Sequence, residues 1–168
     1  CALVRGAMEG TMLRNECYDF AKLGKFIERA DSTARLLDVK YYLLLPSVSL
    51  VGSSIDNAQW ETILRAVSAE RAFHWLHPGD IQASDIAEFL ILDTCMPRSL
   101  AYCMQEVSET MDDITKAYGS PKPSCQLASD LRATVDTVKI RTIFETGLHE
   151  FIGKFQEATS ELAGQIET

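Results

Sequence analysis

Four charged residues recur at helical spacing early in the chain: Glu28, Asp31, Arg35 and Asp38, three, four and three positions apart. On a helix that spacing makes a single row. A poorly solvated carboxylate can serve as a general base or hold a cation or amine. An arginine among such acids can grip a carboxylate or phosphate with its planar fork. Glu28, Asp31 and Arg35 are therefore the candidates for catalysis, with Arg29 able to share the anion-holding role. The ordinary alternative is a set of intrahelical ion pairs, each contributing ~0.3–0.5 kcal/mol. What separates the two is whether the row borders an open polar cavity.

The row lies in Cys17–Leu45, which reads as one long helix (about residues 16–45) closed by Pro46. Phe20, Leu23, Ile27, Ala30, Ala34, Leu37, Tyr41 and Leu44 form a 3-4 stripe suited to burial against other helices, with the charged row at its edge. Lys22, Lys25, Arg29 and Lys40 fall on the other side and read as a solvated face. Gly24 inside the helix points to a close helix–helix approach. Just upstream, EGTMLR supplies a turn or cap at Gly10-Thr11 that would aim Glu9 and Arg14 toward the row.

The elements that must support this helix also read as helices. Asp56 or Asn57 caps one whose buried face is Trp60, Ile63 or Leu64, Val67 and His74, stopping near His77–Gly79. A shorter helix covers Asp85–Leu92, and Pro97 sits in the first turn of the next. That helix carries Leu100, Met104, Val107, Met111, Ile114 and Tyr118 and ends at Gly119. A last helical region spans Cys125–Glu167, with Gly147 as a kink or close contact. Residues 46–56 and 119–124 read as loops. Strand alternation is absent, so the expected fold is all-α: one helical domain over 1–168, a multi-helix bundle built around the long helix.

Composition and missing motifs narrow the function. A net charge of −8 argues against a nucleic-acid partner. No apolar run reaches the ~18–20 residues that span a bilayer, and no signal peptide is visible. Five cysteines without a CxxC pair indicate a reducing compartment, most simply the cytoplasm, and Cys103 reads as a small core hydrophobe. Glu-x-x-His is absent, and His149-Glu150 has Gly153 where a zincin needs its second histidine, so neither metal nor cofactor is expected. His74, His77 and His149 read as capping or core-edge residues. Phosphate-loop, dinucleotide and GxSxG motifs are missing as well. The chain opens on Cys1 in an already apolar stretch, as a piece of something longer would.

EGTMLR, LGKFIERADSTARLLDVKYYLLLP, QWETILRAVSAERAF, AEFLILDTCMPRSL and IFETGLHEF together resemble the C-terminal half of the bacterial alpha-E domain family, in order from Val4 to Phe155. The resemblance implies an all-helical fold and neighbours of the ATP-grasp ligase-like and transglutaminase-like peptidase classes. It thus implies a place in forming or modifying peptide or amide bonds. The family's charged residues fall on Glu28, Arg29, Asp31, Arg35 and Asp38, with Glu9 and Arg14 upstream. Two departures stand out: relatives carry an earlier helical half, and Phe20-Ala21-Lys22-Leu23 replaces their usual aromatic-leucine sequence. Without that half, an apolar face needs covering, so self-association is expected. Three functions remain open: a non-enzymatic helper of a ligase-like partner, an enzyme or half-enzyme of amide-bond chemistry, and a plain structural module.

Overall fold

The computed structural model describes residues 2–43, 54–79, 82–119 and 122–167. Cys1, Leu44, Pro46, most of the loop expected at 46–56, and Ser120-Pro121 of the second loop lie outside the described residues, as does the side chain of Tyr41. Among the described residues the chain forms nine helices and no strand. They are α1 (Ala2–Thr11), α2 (Glu16–Leu43), α3 (Ser54–Ala66), α4 (Glu70–Leu76), α5 (Ala83–Ile91), α6 (Leu100–Tyr118), α7 (Pro123–Thr137), α8 (Ile140–Thr146) and α9 (Leu148–Ile166).

The long helix is α2, about 42 Å at 1.5 Å per residue. Glu16 and Asp19 in its first turn and Lys40 in its last complement the helix dipole. Asn15 caps it, its side-chain oxygen accepting from the Tyr18 N–H at 3.4 Å. Gly10 and Thr11 instead belong to the end of α1, where the Thr11 hydroxyl donates to the Ala7 carbonyl. The turn ahead of α2 therefore falls at Met12–Asn15.

α2 packs on α6 and α9, and α7 completes a four-helix core by packing on the same two. α3, α5 and α8 close one end of it. The buried line along α2 is Leu23, Phe26, Ala30, Thr33, Ala34, Leu37 and Lys40. This differs from the expected stripe by a rotation of the helix. Phe26, Thr33 and Lys40 turn inward, while Phe20 is 44% exposed and Ile27 only partly buried. Gly24 faces open space, with nothing within 4 Å of where a Cβ would lie, so no close helix approach explains it.

The single helix expected after residue 56 is two. Ser68, at φ 58, closes α3 in the left-handed conformation, and α4 restarts at Glu70. Phe73, not His74, supplies its buried side chain, and His74 is exposed. Pro97 precedes α6 rather than entering it. Ser99 is the cap, its hydroxyl oxygen accepting from the Tyr102 N–H at 3.0 Å. Gly119, at φ 78, ends α6 as the spacing predicts. The C-terminal region divides at Val138-Lys139 and again at Gly147. Gly147 has φ 106, and the Glu150 carboxylate occupies the space a Cβ would need.

Candidate functional site

The two edges of α2 end in different surroundings. On the acidic edge, Glu28 is exposed and Arg35 is 70% exposed. The Arg35 Nε donates to Asp31, itself 37% exposed, at 2.7 Å. Asp31 beside it pushes the Arg35 guanidinium pKa up from its ordinary value. Asp38 sits deeper and meets His149 on α9, with Nδ1 2.6 Å from its carboxylate. A hydrogen bond of this kind fixes the orientation of an imidazole. The row thus does not converge: Glu28 and Arg35 face solvent, Arg35 pairs with Asp31 along the helix, and Asp38 reaches across to α9.

Glu9 and Arg14 form a separate cluster. The Glu9 carboxylate accepts from Lys25 Nζ at 2.5 Å and from the Tyr18 hydroxyl at 3.0 Å. Arg14 lies 3.8 Å over the Tyr18 ring and donates to the Glu9 carbonyl at 2.5 Å. The Lys25 hydrogen bond, then that from Tyr18, holds the Glu9 carboxyl below its usual range, partly offset by burial. Burial and the Glu9 charge push the Tyr18 phenol up. This cluster ties α1 to α2, on residues distinct from those of the acidic row.

The basic edge is not a solvated face. Lys22 pairs with Glu106 of α6 at 2.8 Å. The Arg29 guanidinium lies 5.3 Å from the Phe26 ring and reaches the Pro97 carbonyl at 3.5 Å, the long limit of a hydrogen bond. The fully buried Thr33 hydroxyl donates to the Arg98 carbonyl at 2.8 Å. Lys40 is 1% exposed and donates to Asp56 at 2.5 Å and Gln59 at 2.7 Å, 5.7 Å from the Trp60 ring. The loop that Arg29 and Thr33 hold is itself pinned by Asp93, whose carboxylate accepts from the Cys95 and Met96 N–H groups at 2.7 and 2.8 Å. The ERAD-x-TAR and MPRSL segments are therefore in contact, side chain to backbone.

Sequence reasoning missed Thr33, Lys40, Asp56 and His149 as partners. Lys40 had a local signal, since it lies three residues beyond Leu37 and seven beyond Thr33 on the buried line. His149 had none: its partner lies 111 positions away. His77 does sit at the core edge, stacked on Phe73 at 4.5 Å and placed at the C-cap of α4. Cys103 is buried and its thiol is pushed up to about 12 by that burial, as a small core hydrophobe requires. Among the described residues no group of three or more His, Cys, Asp or Glu could hold a metal ion. None of their helices is long and apolar enough to cross a membrane.

A family model matches residues 1–168, the whole of the chain: Alpha-E, a predicted alpha-helical domain with a conserved ER motif. The chain belongs to that family. Glu28-Arg29 and Glu70-Arg71 are Glu-Arg pairs of this sequence. In the first, the arginine meets the α5–α6 loop while the glutamate points outward. No curated protein and no solved structure matches the chain.

Proposed function

From its membership of the Alpha-E family, we propose that the chain is a helical binding module without a reaction of its own. It would work beside an ATP-grasp ligase-like partner in forming or modifying peptide or amide bonds. One observation carries this reading: the outer face of α2 presents Glu28, Arg35 and the 43%-exposed Val39 to solvent. An exposed helix face of mixed charge with an apolar residue at one end suits docking better than it suits catalysis, which needs water excluded from converging groups. Arg35 and Asp31 would meet complementary charges of the partner, and Glu9 and Arg14 would hold α1 against the first turns of α2. The test is co-purification with the ATP-grasp protein. Wild type should be retained, and Glu28→Lys combined with Arg35→Glu should weaken retention about tenfold or more while helicity is unchanged. A wild-type chain that fails to associate sinks the proposal.

A second reading, an enzyme of amide-bond chemistry, is favoured by the Asp38–His149 pair. A carboxylate-oriented imidazole can serve as a proton acceptor. On that reading, Asp38→Asn and His149→Gln each abolish product formation in the presence of the partner yet leave association intact. Loss of association with them would assign the pair to structure. We also propose that the protein self-associates in solution. Leu3, Val4 and Leu13 at the α1 end and Trp75 of α4 are exposed apolar groups that a second copy could cover. Sedimentation equilibrium giving a monomer at all concentrations would exclude this.

A further inference from the structure

At the end of the bundle where α2 begins and α9 ends, four helices leave a cavity of about 260 Å³. Phe20 enters from α2, Met111, Ile114 and Tyr118 from α6, Cys125 from α7 and Ile166 from α9. This is larger than the ~150 Å³ that admits a benzene ring. Most of the wall is apolar, and its few polar groups cluster at one side. Thr115, Lys122, Ser124 and Gln165 complete the lining, and a second, more open pocket of about 320 Å³ shares Lys122, Ser124 and Gln165 with it.

Among the described residues, Lys122 is the one ionised side chain in either lining, and the Tyr118 hydroxyl of the first donates to the Glu16 carboxylate. Lys122 stands at the N-cap of α7, a helix of 15 residues, and offers no side-chain acceptor to the helix N–H groups. Pro123 follows at the helix start. The positive end of the helix dipole and an ammonium group therefore meet at the junction of the two pockets. Between α6 and α7 the Thr115 hydroxyl donates to the Met111 carbonyl at 2.8 Å and lies 3.1 Å from the Cys125 Sγ.

We infer that this cavity binds a small apolar carboxylate, with its hydrocarbon part among Phe20, Met111, Ile114 and Ile166 and its anionic head at Lys122. The occupant is a free small molecule: the volume suits a medium-length acyl chain, and the charge fixes the head group. The site is remote from the acidic row of α2, so it stands or falls apart from the docking role proposed for that face.

The probes are octanoate, 1-octanol and octylamine, titrated into the intact protein and followed by calorimetry and by alkylation of Cys125 mapped by mass spectrometry. Octanoate should bind about tenfold more tightly than 1-octanol and slow Cys125 alkylation without slowing that of the exposed Cys17 and Cys95. Lys122→Gln should remove the preference for the acid and leave the alcohol's affinity as it was. Ile114→Trp or, if that variant loses helicity, Ile166→Phe should abolish binding of both by filling the space. Octylamine binding as well as octanoate, protection of all three thiols alike, or an unchanged octanoate affinity in Lys122→Gln would each overturn the inference. So would failure of octanoate to bind, including because a second copy covers the cavity.

Discussion

The two edges of α2 carry similar residue types and have opposite fates. On one, Lys22, Arg29, Thr33 and Lys40 each reach a different point on another element: Glu106, the Pro97 and Arg98 carbonyls, and Asp56 with Gln59. On the other, Glu28 and Arg35 meet water, and only Asp38 crosses to a neighbour. Charge alone therefore does not separate a row that fastens elements together from one that faces solvent. What separates them is the side of the helix axis on which the core falls. The basic edge fastens α2 to three successive parts of the fold, and the acidic edge, Asp38 apart, is left to solvent or to pairing within α2. Variants on the two edges should accordingly differ in kind as well as in size.

The largest effect is expected at Lys40. Its ammonium is 1% exposed and Asp56 is 3% exposed. Lys40→Ala removes the cation that a buried carboxylate faces, which costs about 3–5 kcal/mol in comparable pairs. Urea unfolding should register it as a large drop in midpoint. The double variant Lys40→Met with Asp56→Leu should recover most of the loss, because apolar groups of similar volume need no compensating charge. A single variant within ~0.5 kcal/mol of wild type would remove the pair from the account of what holds α2 to α3.

Next comes Thr33. Thr33→Val keeps the volume but leaves the Arg98 carbonyl without its buried donor, at about 1–2 kcal/mol. Arg29→Gln should add to this less than its own separate effect, since both hold the same loop. A double-mutant cycle in urea measures the coupling, and strict additivity would mean the loop is seated by something else.

The helical architecture was legible because the apolar periodicity of each helix is strong and turn chemistry marks several ends, as at Gly119. The orientation of α2 was less so. Its sequence supports two overlapping 3-4 stripes that share Leu23, Ala30, Ala34 and Leu37. One adds Phe20, Ile27 and Tyr41, the other Phe26, Thr33 and Lys40. Hydrophobicity favours the first, and the fold uses mainly the second. A buried threonine and lysine are tolerable only because Arg98, Asp56 and Gln59 stand opposite, and those lie 16 to 65 positions away. The same rotation carries Glu28 and Arg35 outward. The position of the candidate row was thus readable, but its depth was set by contacts that no local pattern encodes.

A smaller effect, with a sign fixed by chemistry, belongs to α1. Hydrogen bonds from Lys25 and Tyr18 lower the Glu9 pKa below its ordinary 4.5. A group lowered by folding contributes attachment above that ordinary value and loses it as pH falls through the folded one. The Tyr18 phenol is raised above 10.0, so its contribution is present below that value and lost as pH rises through the folded one. Amide exchange in α1 should therefore be slowest between about pH 5 and 10, relative to α2 as internal reference. Glu9→Gln should flatten the acid limb and leave the alkaline limb reduced but present. An acid limb unchanged by that substitution would assign it to another carboxylate.

The smallest effect on stability, and the sharpest on function, is expected from Glu28 and Arg35. Arg35 is open to solvent and, among the described residues, its hydrogen bond and ion pair are to Asp31 of its own helix. Exposed pairs of this geometry contribute little, because water screens the charges and two long side chains must be ordered to join them. Arg35→Glu and Glu28→Lys should therefore leave the urea midpoint unmoved, in contrast to every variant on the basic edge. Retention by the proposed ATP-grasp partner should fall in the same two proteins, and more steeply at low salt, where unlike charges attract over a longer range. Charge reversal at Lys122 or at Asp112, away from this face, should leave retention alone. If the acidic-edge variants unfold the protein, or bind the partner as wild type does, the division between a fastening edge and a docking edge fails at its functional end, though the fastening contacts of Lys40 and Thr33 would stand.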